Sequence, residues 1–125
     1  MVKASLVGLD IEAGFRVVSL LENAGIKPKV VLWMSTPEYE EGRLVIASPS
    51  LDQAQPLRAY GKVAEILHGE FAHSRPSLLI LRMKDPFIQE LRQVFGKAAS
   101  VEGMRLGGQT IGDRFVLDAF VYRIQ

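Results

Sequence analysis

The sequence predicts an α+β fold: a single domain, residues 1–125, with a mixed sheet of about five strands and three helices in the order α-β-β-α-β-α-β-β. Three observations carry this expectation. Segments with a 3.6-residue apolar period alternate with short β-branched and aromatic runs. Clusters of Gly, Pro and Asp fall between those segments. The chain has 125 residues and is 48% hydrophobic, enough to bury one core without covalent staples.

Asp10 is placed to cap a first helix, whose apolar positions Ile11, Phe15, Val18 and Leu21 share a face and which Ala24-Gly25 stops. Pro28 precedes a strand over Lys29–Met34. Thr36–Gly42 reads as a polar loop leading into a second strand, Arg43–Ser48, so that the two strands form an antiparallel hairpin. Pro56 suits the first position of a second helix, with Leu57, Tyr60, Val63, Ala64 and Leu67 on its inner face and Gly61 weakening it slightly.

Ser77–Met83, bounded by Pro76 and Asp85-Pro86, reads as a buried strand. Asp85 as cap and Pro86 at the first position open a third helix, with Phe87, Ile88, Leu91, Val94 and Phe95 inward and Gly96 at its end. Val101–Leu106 and Phe115–Ile124 are the last strands, joined through Gly107-Gly108 and Gly112-Asp113. On the final strand Phe115, Leu117, Ala119 and Val121 point one way, and Val116, Phe120, Tyr122 and Ile124 the other. A strand apolar on both faces needs cover on both, from helices or from a second subunit.

Composition excludes several functions. With no cysteine, a disulfide framework, a thiolate zinc site and a cysteine nucleophile are all ruled out. Fifteen Lys and Arg against fourteen Asp and Glu leave a net charge of +1, so no strong field calls for nucleic acid or an anionic membrane. The charge is mildly uneven: five cations against seven acids in residues 1–57, ten against seven in residues 58–125. Arg75, Arg82, Lys84, Arg92 and Lys97 are not interleaved with aromatics and read as a solvated face. Asp10 and Glu12 cut off the short apolar run at the start, and no later stretch is long enough to span a bilayer, so a cytoplasmic location is expected.

Leu32-Trp33-Met34-x-x-Pro37-Glu38, then Arg43 to Pro49 and Ala59-Tyr60, then Asp118-Ala119-Phe120-Val121-Tyr122-Arg123, together resemble a family of small uncharacterised bacterial proteins. The resemblance spans the chain from about Asp10 onward, and the family more often has a second Tyr where Phe120 stands. It implies a bacterial setting and a single-domain boundary, and it carries over no functional residue.

Several clusters carry possible chemistry. His68 and His73 flank Glu70, but they are five residues apart across Gly69, which lacks the i, i+4 spacing of a helical metal pair. A helix end and a solvated loop describe them better, and no metal ligand is assigned. The glycines at 103, 107, 108 and 112 lead into a strand rather than a helix, so they read as hairpin glycines and not as a phosphate loop. Ser48-Pro49-Ser50 lacks the flanking glycines of a nucleophile elbow. Glu38, Glu40 and Glu41 form a solvated acidic stretch. Asp118 interrupts an apolar strand face, and a carboxylate there calls for a partner, with Arg105, Arg114, Arg43 and Arg82 as candidates.

These observations favour a non-enzymatic module that self-associates, as a homodimer, or binds a protein partner, with Trp33, Phe120 and Tyr122 at the interface. The alternative is a small-molecule-binding protein or enzyme with a polar cleft built from Asp118, Tyr122, Arg43 and Arg105. No cofactor is implied. Nucleic acid and membranes are not expected partners.

Overall fold

The computed structural model describes residues 8–71, 75–98 and 100–125, with side chains from Ile11 onward. The chain runs α1 (Gly8–Asn23), β1 (Val30–Thr36), β2 (Tyr39–Ala47), α2 (Pro49–Asp52), α3 (Pro56–Leu67), β3 (Leu78–Ile80), α4 (Pro86–Phe95), β4 (Arg105–Leu106), β5 (Gln109–Ile111), β6 (Arg114–Val116) and β7 (Asp118–Ile124). Five strands make a mixed sheet ordered β3-β2-β1-β7-β4, and β5 and β6 form a separate hairpin. Only the β2–β3 pair is parallel, and α2 and α3 supply the crossover that parallel neighbours need. The expected α+β order holds, with one short helix, α2, added in the Ser48–Ser50 connection.

β1 is central and buried throughout, and its alternation divides the interior into two cores. Val30, Leu32 and Met34 join Phe87, Ile88 and Leu91 of α4 and Ile111 and Val116 of the small hairpin. Val31 and Trp33, on the other face, join Val17 and Leu21 of α1 and Ala59, Val63 and Leu67 of α3. Each fully buried aliphatic side chain contributes about 1.5–3 kcal/mol. Both faces of the sheet are therefore covered by elements of this same chain.

Local chemistry sets the helix ends. At the end of α1, Ile26 N–H reaches Leu21 C=O at 2.9 Å and Gly25 N–H reaches Glu22 C=O at 3.0 Å. This pattern needs a left-handed residue between them, and Gly25 supplies φ +87°. At the start of α4, Asp85 Oδ1 accepts the Phe87 N–H at 2.9 Å, and Pro86 occupies the first turn, where no N–H is missed. α1 already runs from Gly8, so Asp10 sits within its first turn rather than ahead of it; the Asp10 side chain lies outside the described residues.

Several expectations change where distant partners decide. The span Thr36–Gly42 is not one loop. The turn is Pro37-Glu38 alone, Thr36 pairs with Tyr39, and Glu40, Glu41 and Gly42 together face Ser35 as a bulge with Gly42 at φ +92°. The final strand divides at Leu117 into β6 and β7, and a second bulge leaves Tyr122 as the extra residue between Val121 and Arg123. Val116 and Ile124 consequently pack on the α4 side with Ala119 and Val121, not with Phe120 and Tyr122 as strict alternation predicts.

The expected strand Val101–Leu106 contracts to Arg105-Leu106. Ser77–Met83 contracts to Leu78–Ile80, half-buried at the edge of the sheet rather than inside it. On α3 the inward stripe is Ala59, Val63 and Leu67, while Leu57 is 87% exposed. On α4, Val94 is 58% exposed and not inward.

Candidate functional site

Of the four residues expected to form a polar cleft, Asp118 and Arg105 are brought together, and Arg43 and Tyr122 bond elsewhere. Met34 pairs directly with both Arg43 and Ala119, and directly paired residues share a face, so Arg43 lies on the α4 side of the sheet. Asp118 pairs with Ser35, one residue further along, and lies on the opposite side. Arg43 places its guanidinium 4.8 Å from the ring centroid of Tyr39. The Tyr122 hydroxyl donates to Ile11 C=O at 2.6 Å, and its ring meets Phe15 edge-on at 4.6 Å.

Among the four arginines considered for Asp118, Arg105 is its partner. Arg105 Nη2 and Nε reach the two carboxylate oxygens at 2.6 and 3.3 Å. The side chains are 50% and 24% exposed, so Asp118 is a half-buried acid at the start of β7 and not an interior one. A pair this open contributes about 0.2–1 kcal/mol. Arg114 instead lies 3.8 Å from Asp85 and 3.9 Å from Asp113, and Arg82 donates to the Asp52 carbonyl at 2.9 Å.

The aromatic residues expected at an interface are mostly internal. Trp33 and Tyr122 are only 4% and 5% exposed, packed with α1 and α3 in the same core. Phe120 is half-buried, 6.2 Å from the partly exposed Phe15. His68 is exposed at the end of α3, and His73 lies outside the described residues. Among the described residues no cluster of three His, Asp or Glu side chains is arranged to hold a metal ion, and no helix is long and apolar enough to cross a membrane.

A different feature stands out: an open groove of about 660 Å³ between α3 and the outer edge of β3. Leu57, Tyr60, Gly61 and Ala64 form its helical wall, and the opposite wall is the stretch Arg75–Leu78. At Gly61 no atom lies near the position a Cβ would take, so the wall is open there.

The hydrogen bonds of β3 fix which way its backbone points. Ser77 C=O accepts from Leu44 N–H at 2.8 Å, and Leu81 N–H donates to Ile46 C=O at 3.0 Å, so both face β2. By alternation the N–H and C=O of Leu78 and Ile80 face the other way, toward the groove. The outward N–H of Ile80 is taken by the Tyr60 hydroxyl at 2.9 Å. Pro76, two residues before Leu78, has no N–H to offer. Edge pairing is thus confined to the Leu78 N–H and C=O with the flanking carbonyls.

The 3.6-residue apolar pattern assigns Leu57, Tyr60 and Ala64 to the core, and Arg75 reads as solvated; all four instead line this groove. A signal was present: Leu57, Tyr60, Gly61 and Ala64 make a second apolar stripe beside Ala59, Val63 and Leu67, wider than one core contact needs. Comparison of the chain with protein-family models, with curated proteins and with solved structures finds no match.

Proposed function

We propose that the protein is a non-enzymatic binding module that takes an extended segment of a protein partner into the groove between α3 and β3. One observation carries the reading: β3 pairs with another strand along one edge only, and its outward Leu78 N–H and C=O border a groove whose wall includes the 87%-exposed Leu57. A peptide strand laid against such an edge gains main-chain hydrogen bonds, and its alternate side chains find the apolar wall. The groove is open rather than enclosed, which suits an extended chain better than a small molecule that must be enclosed.

Panning a random peptide library against the immobilised protein tests this, with Gly61→Leu as the counter-target. Peptides enriched on the wild-type protein and not on the variant support the reading. Equal recovery on both proteins contradicts it.

A further inference from the structure

We draw no further inference here: the strongest candidate, the groove between α3 and the outer edge of β3, belongs to the site already described, and nothing in the structure shows which segment covers it.

Discussion

The Tyr60 hydroxyl, on α3, accepts the backbone N–H of Ile80, on β3, at 2.9 Å, so a helix side chain takes a place that another strand would otherwise fill. Removing that hydroxyl gives the first prediction. Tyr60→Phe keeps the ring and loses one hydrogen bond, which costs about 0.5–1.5 kcal/mol in chemical denaturation. Amide exchange at Ile80 should accelerate while exchange at Leu32, in the central strand, stays slow. Unchanged protection at Ile80 would mean that the hydroxyl does not guard this edge.

Gly14 yields a prediction opposite in sign to helix propensity. A Cβ there would lie 2.0 Å from Tyr122 Oη and 2.2 Å from its Cζ. Gly→Ala inside a helix normally stabilises by about 1 kcal/mol. Here Tyr122 is held by Phe15, by Phe120 and by its bond to Ile11, and it cannot yield cheaply. Gly14→Ala should destabilise by about 1–3 kcal/mol. In a Tyr122→Ala background the same change should become neutral or stabilising, a coupling that a double-mutant cycle measures.

Asp118 separates a surface pair from a buried acid. Because Arg105 is half exposed and Asp118 keeps part of its carboxylate in water, Asp118→Ala should cost about 1 kcal/mol, with less effect at high salt. Urea denaturation of the two proteins checks it. A loss of about 3–5 kcal/mol, the cost of breaking a buried pair, would contradict the half-exposed geometry.

What could be read from the sequence was what short-range chemistry decides. Gly25 ends α1, Asp85 and Pro86 open α4, and the β-branched run around Trp33 forms the central strand, each from residues within a few positions of one another. What could not be read depends on distant neighbours. The bulges at Gly42 and Tyr122 exist only relative to β1, and the one at Tyr122 reverses the facing that strict alternation assigns to Ile124.

The same limit governs the site. Four arginines were plausible for Asp118, and sheet register alone selects Arg105, which pairs opposite Phe120 on β4. The apolar residues on both faces of the last strand imply cover on both, and nothing local in the sequence says whether helices or a second subunit supply it. Helices α1 and α3 cover Trp33 and Tyr122, so helices of this chain, and not a second subunit, close that face over both residues.

Gly61→Leu tests the central claim most directly, because it fills the groove while leaving the fold at least as stable. Nothing lies within reach of an added Cβ at this position, and replacing a helical glycine should stabilise by about 0.8 kcal/mol. The measurement is peptide affinity by anisotropy beside thermal unfolding of the same samples. The account predicts a Tm no lower than wild type together with loss of peptide binding. A well-folded Gly61→Leu protein that binds the selected peptides with wild-type affinity would contradict it.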